Sequence, residues 1–241
     1  MSRPFLLGVL GGMGPLATLD FQYKLLEATP ADGDWQQIPS VVWNVPQVAD
    51  RQKALAGQGP SPLPQLLHGI DKLNQAAASH IVIACNTSHH WYDALSRASA
   101  APILHIVDAT IQRLAARAQK PQRVGIIATK GTLDTGWFQR GLAAQGIDAL
   151  EPTPEEMAAW FVSGCYAVKG GQLREGGEKL SLLADALLAR GADTLVLACT
   201  EVPVALRAVA ATSLAQSIDP AEALAQRCAE IWLQRRHSYL A

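Results

Sequence analysis

"IVIACNTS", residues 81–88, ends an apolar run with Ala-Cys and turns at once to amide and hydroxyl side chains. "LVLACTEV", residues 195–202, does nearly the same. Each run is short, made of Val, Ile and Leu, and not alternating, which is the pattern of a strand buried on both faces of a parallel sheet. The polar residues after each Cys suit a helix N-terminus, where unpaired backbone N–H groups collect. A strand that feeds a helix start is the repeating unit of an α/β fold.

Outward from these two stretches the same alternation continues. Further strands are predicted at 5–10, 41–44, 103–106 and 124–128, beside 81–84 and 195–198 themselves. Helices are predicted at 16–27, 62–77, 91–97, 110–118, 135–145, 178–190, 205–210 and 221–234. The expected fold class is α/β, with parallel sheets and helices on both faces.

The chain also repeats itself. "LGVLGGMG" (7–14) resembles "VGIIATKG" (124–131), with Gly8 answering Gly125 at an offset of 117 (125 − 8). Cys85 answers Cys199 at 114 (199 − 85). "HIVDATIQRLAARA" (105–118) resembles "QSIDPAEALAQRCA" (216–229), with Asp108 answering Asp219 at 111 (219 − 108). Three ordered landmarks at a near-constant offset predict two pseudo-symmetric domains. The first comprises 1–107 with 213–241, the final helix returning to it, and the second comprises 108–212.

Bulk properties narrow the function classes. The 241 residues are 49% hydrophobic and 17% charged, with a formal charge of −1. No basic excess points to nucleic acid. The apolar start "FLLGVL" is too short for a signal peptide or a membrane span. Four cysteines without a Cys-x-x-Cys pair read as reduced thiols rather than a disulfide frame or zinc site. A cytoplasmic protein is expected.

The glycine turn "GMGPLA" (12–17) follows a strand and opens a helix, as in a dinucleotide-binding fingerprint. That fingerprint wants an acidic residue at the end of the next strand, and "VVWN" ends in Asn44. What survives is a tight turn that aims N–H groups at an anion.

The cysteines carry more. A free Cys in an apolar run is usually structural, and Cys228 in a helical pattern reads that way; Cys165 stays open. Cys85 and Cys199 differ because each stands at the carboxyl end of a strand, where open α/β folds place ligands. Helix starts behind them should lower a thiol pKa. Paired thiols suit general acid–base chemistry: one thiolate removes a proton from carbon and the other thiol returns one to the opposite face. That chemistry needs no metal or organic cofactor. Backbone N–H groups and hydroxyls around Asn86, Thr87 and Thr200 could stabilise the carbanion-like transition state. A Cys–His nucleophile using His89 or His90 is the competing chemistry, although such a base is normally brought from elsewhere in the chain.

"GGMGPLAT", "NVPQVADR", "ACNTSHHWYD", "VGIIATKGT", "YAVKGG" and "LACTEVP" occur in this order between residues 11 and 203. Together they resemble the cofactor-independent aspartate/glutamate racemases. The resemblance implies a dimeric two-domain enzyme with its active site in the interdomain cleft, Cys85 and Cys199 as the acid/base pair, and an acidic amino acid as substrate, aspartate first and glutamate next. It implies Arg51 for a substrate carboxylate, Lys169 lining the site, and Asn86, Thr87 and Ser88 around the α-carboxylate and amino group. Met13, Thr129, Thr200 and Glu201 fall in other pocket-lining segments. Ala49, Gln52 and Ser88 depart from the family's usual residues, which bears on substrate preference more than on the acid/base pair. A non-catalytic acidic amino-acid binder, an isomerase or decarboxylase of a small dicarboxylate, and a nucleotide-dependent oxidoreductase resting on "GMGPLA" are the other readings.

Overall fold

The run that ends in Cys85 is a strand with every residue buried, and so is its counterpart before Cys199. A computed structural model of the chain describes residues 4–240, with side chains through 236. Two units divide it: residues up to Ala109 with those from Ala221 onward, and Thr110–Pro220.

The first unit opens with β1 (Leu7–Gly11), α1 (Pro15–Ala28), β2 (Ser40–Asn44), α2 (Arg51–Leu55) and α3 (Leu63–Gln75). It continues with β3 (His80–Ile83), a 3-10 turn at Thr87–Trp91, α4 (Tyr92–Ala98), β4 (Ile103–Leu104) and α5 (Ile106–Ala115), whose second half belongs to the other unit. The second unit runs β5 (Arg123–Ile126), α6 (Lys130–Asp134), α7 (Trp137–Ala144), β6 (Asp148–Leu150) and α8 (Pro154–Glu156). A π-helical stretch, Met157–Val162, joins α8 to α9 (Ser163–Lys169). Then come α10 (Leu173–Ala189), β7 (Thr194–Val196), α11 (Glu201–Ala208) and β8 (Ser217–Ile218). The last helix, α12 (Pro220–Leu240), returns to the first unit. There Trp232 packs against Phe5 and its indole N–H donates to the Gln36 carbonyl at 2.8 Å. Because β8 completes the second sheet, the chain crosses back at the start of α12, later than the break at 212–213 read from the sequence.

Both sheets are four-stranded and entirely parallel, in the orders β2-β1-β3-β4 and β6-β5-β7-β8. The second order is the first shifted by four strands, so the sequence repeat is a repeat of topology. Packing repeats as well. A Cβ on Gly8 would meet Ala78, Ile81 and Leu73, and one on Gly125 would meet Ala192, Leu195 and Leu187. Those three neighbours are each 114 residues apart (192 − 78, 195 − 81, 187 − 73), the offset that separates the cysteines. Glycine at these positions lets a helix lie close against the first strand of each sheet.

In each unit the chain moves from its first strand to one neighbour and then jumps back to the other. The direction of winding therefore switches between β1 and β3, and between β5 and β7. Parallel α/β sheets bind ligands beyond the strands' carboxyl ends at such a switch point. Leu10 pairs with Ile83, and Ile126 pairs with Val196, so the segments reaching Met13 and Cys85, and those reaching Thr129 and Cys199, leave their sheets there.

Candidate active site

Cys85 follows β3 by two residues and is buried at 5% exposure. Its carbonyl accepts a hydrogen bond from His89 Nδ1 at 3.0 Å. His89 Nε2 accepts from the Ile106 N–H at 3.4 Å. Both ring nitrogens are thus engaged by backbone, and the ring is a neutral Nδ1–H tautomer. Burial, with His105 close by, pushes its pKa down to about 3. His89 therefore fixes the turn behind Cys85, and its engaged nitrogens leave the neighbouring thiol without a base from this residue.

The next residue is the most telling of the first unit. Asn86 is 4% exposed, and neither its Oδ1 nor its Nδ2 has a hydrogen-bond partner. A buried primary amide left unpaired at both ends costs several kcal/mol, roughly 1–3 for each polar group, unless something binds there. Such a group offers both donor and acceptor to a ligand.

Arg51 is also buried, although an Arg after an acidic residue usually lies on the surface. Asp50 caps α2 by accepting from the N–H groups of Gln52 and Lys53, which turns the Arg51 side chain inward. Its Nη1 donates to the carbonyls of Val48 and Ala49, and its Nη2 donates to that of Met13 at 3.1 Å. Nε is buried and unpartnered. The Met13 sulfur in turn accepts from the Ser88 hydroxyl at 3.1 Å. Met13, Arg51 and Ser88 are therefore one connected group, and Asn86 and Thr87 lie on the same chain segment as Ser88. The glycine turn that carries Met13 is held open by Gly12 at φ +93°, where any Cβ would strike the Val45 backbone at 2.4 Å.

In the second unit Cys199 lies just ahead of α11 and is likewise 5% exposed. Its thiol donates to Glu201 Oε2 at 3.2 Å, and the Thr200 hydroxyl donates to the same oxygen at 3.3 Å. The other Glu201 carboxylate oxygen is buried without a partner. The Cys165 sulfur lies 3.7 Å from that of Cys199, and both thiols are free. The Cys199 pKa is raised well above the ordinary thiol value. Contact with Cys165 is the largest cause, burial the next, and the Glu201 charge adds to both, while Lys169 pulls the other way. The expected lowering by the helix start is thus overturned at Cys199, because burial between a second thiol and a carboxylate outweighs the α11 terminus.

Lys169 ends α9, exposed, with its ammonium 5.1 Å from the centre of the Tyr166 ring. Thr129 caps α6, accepting from the Thr132 N–H at 3.1 Å. The second unit therefore brings Thr200, Glu201 and the Lys169 charge to Cys199. It adds Cys165, which sequence reasoning left open. Its signal was the i, i+4 spacing from Lys169, which places both residues on one face of α9. Among the described residues no group of three or more His, Cys, Asp or Glu could hold a metal ion, and no helix is long and apolar enough to cross a membrane.

Residues 10–228 match the family model for Asp/Glu/Hydantoin racemase. The chain belongs to that racemase family. Among solved structures, an aspartate racemase from Picrophilus torridus is 26% identical, with a TM-score of 0.81 over 95% of this chain and 94% of that one. The broad specificity amino-acid racemase RacX of Bacillus subtilis is 26% identical over 60% of this racemase-family chain and 63% of its own length. A glutamate racemase from Corynebacterium kroppenstedtii is 31% identical over 63% of this chain and 53% of its own length. The matches to these two curated relatives thus span less than two thirds of their lengths. Racemases are isomerases, and this places the chain among them.

Proposed function

We propose that this chain is a cofactor-independent racemase of an acidic amino acid, aspartate first and glutamate next, with Cys85 and Cys199 as its two acid/base groups. The observation that carries the reading is the equivalence of the two thiols. Each is buried at the carboxyl edge of its own sheet, at the same topological switch point of two repeated units.

In this reaction a thiolate removes the α-proton and the electron pair moves into the adjacent carboxylate. The other thiol then gives its proton to the opposite face of the carbon. Contact with Cys165, burial and the Glu201 charge hold the proton on Cys199, which suits it to donate to the carbanion-like intermediate when Cys85 is the group that removes the α-proton. When the substrate arrives in the other hand, the two roles exchange. Asn86 and the unpartnered Arg51 Nε suit the polar end of an amino acid, and Lys169 suits a second carboxylate. Thr87, Ser88, Met13, Thr129, Thr200 and Glu201 complete the proposed substrate site. A reducing compartment such as the cytoplasm fits an enzyme that needs two free thiols.

Proton NMR of the purified chain with L-aspartate in D₂O, under reducing conditions, tests this directly. The expected result is loss of the α-proton signal with D-aspartate appearing on chiral analysis. Saturable binding of both aspartate and glutamate without exchange of either α-proton would replace the proposal with a binding function.

A further inference from the structure

Cys165 is a buried nucleophile that the proposed reaction leaves unused. It belongs to the apolar core of the second unit, in one cluster with Phe161, Leu180 and Cys199. A cysteine in such a place ordinarily fills space and stays inert. This one is set apart by its neighbour. Its sulfur lies 3.7 Å from that of Cys199, both thiols are free, and both residues belong to the same unit. Alanine or valine would pack a core as well; what a second thiol adds in contact with the first is sulfur chemistry.

The local fold holds the two sulfurs together by two devices. Helix α9 follows the π-helical stretch Met157–Val162. A π turn takes up one extra residue, so it offsets every later side chain by about 100° from an unbroken α-helix, and such turns are frequent at functional sites. The second device is a pair of adjacent glycines on α10. A Cβ on Gly176 would meet Val168 at 2.5 Å and the Gly164 carbonyl at 2.7 Å, so α9 lies directly against α10 there. A Cβ on Gly177 would meet the Ala205 carbonyl at 2.4 Å, so α11 lies equally close. The helix that carries Cys165 and the helix that Cys199 precedes are thus seated side by side on one rigid support.

We propose that Cys165 and Cys199 form a redox modification site, which a peroxide closes to an intramolecular disulfide and an external thiol reopens. Rotation of the two side chains brings the sulfurs from 3.7 Å to a bond of about 2.05 Å. Glu201 Oε2, which accepts the Cys199 thiol proton at 3.2 Å, takes that proton as the sulfur attacks one peroxide oxygen. An S–O bond forms, the O–O bond breaks, and the leaving hydroxide recovers the proton from Glu201 as water. The Cys165 sulfur then attacks the sulfenic sulfur of Cys199. The S–S bond forms, the S–O bond breaks, and the second hydroxide leaves with the Cys165 proton, again as water. Two thiols have lost two electrons and one peroxide has become two waters. The consequence for activity rests on the proposed function: Cys199 in a disulfide has no proton to give and no thiolate to accept one, so racemisation stops until the bond is reduced.

A few equivalents of hydrogen peroxide on the intact chain test this without reference to catalysis. Cys199 is held protonated, so the reaction is followed over hours. Remaining thiols are alkylated, and the chain is digested without reductant and mapped by mass spectrometry. The expected product is a linked peptide pair holding Cys165 and Cys199, with Cys85 and Cys228 alkylated. Dithiothreitol should return all four thiols, and with them whatever racemisation the peroxide removed. In Cys165→Ser, close to wild type in volume, Cys199 should pass the sulfenic stage to sulfinic acid, which dithiothreitol does not reverse. If that variant loses its far-UV circular dichroism, the wild-type map decides by itself. Four thiols that stay reduced, sulfinic acid at Cys199 of the wild type, or a link from Cys199 to Cys85 would each overturn the assignment. A chain that links the pair yet never exchanges an aspartate or glutamate α-proton keeps this site and loses the racemase reading. One that racemises and does not link loses this site alone.

Discussion

At the scale of single residues, the proton on Cys199 is governed by what surrounds the sulfur more than by the helix that follows it. Glu201 accepts that proton and also raises the thiol pKa through its charge. In Glu201→Gln the charge goes and a hydrogen-bonding oxygen stays. The Cys199 pKa should then fall, so alkylation of Cys199 by iodoacetamide, followed by mass spectrometry across pH, should have its midpoint at lower pH than in wild type. An unchanged or higher midpoint would show that Glu201 does not hold the thiol proton. Residues of this kind differ in how far the sequence exposes them. Cys85 and Cys199 were legible because each interrupts an apolar run. Arg51 was legible only through resemblance, since its burial depends on the Met13 carbonyl 38 residues away in sequence. Cys165 stayed open because the 3.7 Å contact with Cys199 is made across 34 residues of chain.

At the scale of elements, the turn behind Cys85 is tied to the start of α5 by two imidazoles. His89 and His105 lie edge to face at 4.6 Å, and Tyr92 packs against both. His105 Nδ1 accepts from the Val107 N–H at 3.2 Å, so it too is held neutral. Burial brings its pKa down to about 4, as it brings that of His89 down to about 3. Unfolding returns both to about 6.5. Between those limits the unfolded chain binds protons that the folded chain does not, so stability is full above about pH 6.5 and is lost as pH falls below it. Each His should cost about 1 kcal/mol between pH 6.5 and 5.5. Urea unfolding from pH 7.5 to 5.5 should show the midpoint falling, and His105→Asn, which keeps an acceptor for Val107, should make that dependence shallower, with the rest carried by His89 and by His80, whose pKa burial also lowers. An equally steep dependence in the variant would remove the His pair as its cause. The central strands were legible because continuous apolar runs bounded by Gly, Asn or Thr can be little else. Helices α8 and α9 were not predicted. The capping box of Thr153 and Glu156 was present in the sequence, but the π-helical turn at 157–162 breaks the 3.6-residue period by which a helix is recognised. Strands β6 and β8, three and two residues long, carry too few side chains to show any period.

At the scale of the whole molecule, the repeat is the feature that gives the proposed chemistry its form. Gly8 and Gly125 meet corresponding neighbours, the sheets share one strand order, and a thiol follows the third strand of each. Under the proposed mechanism the two thiols act on opposite faces of the substrate α-carbon, so they should divide the enantiomers between them. Either thiol alone can still remove a proton from the enantiomer it faces, and solvent deuterium can then replace that proton on the same side. Cys85→Ser should therefore lower racemisation by about 10²–10⁴-fold and retain slow α-proton exchange with one enantiomer of aspartate. Cys199→Ser should lose racemisation to a similar extent and retain exchange with the opposite enantiomer. Each variant is incubated in D₂O with L-aspartate and, separately, with D-aspartate, and both α-proton decay and optical purity are followed. Opposite hands in the two variants are what a divided pair of thiols requires. The same hand in both, or wild-type turnover in either, would mean that one cysteine supports the fold while the other does the chemistry alone.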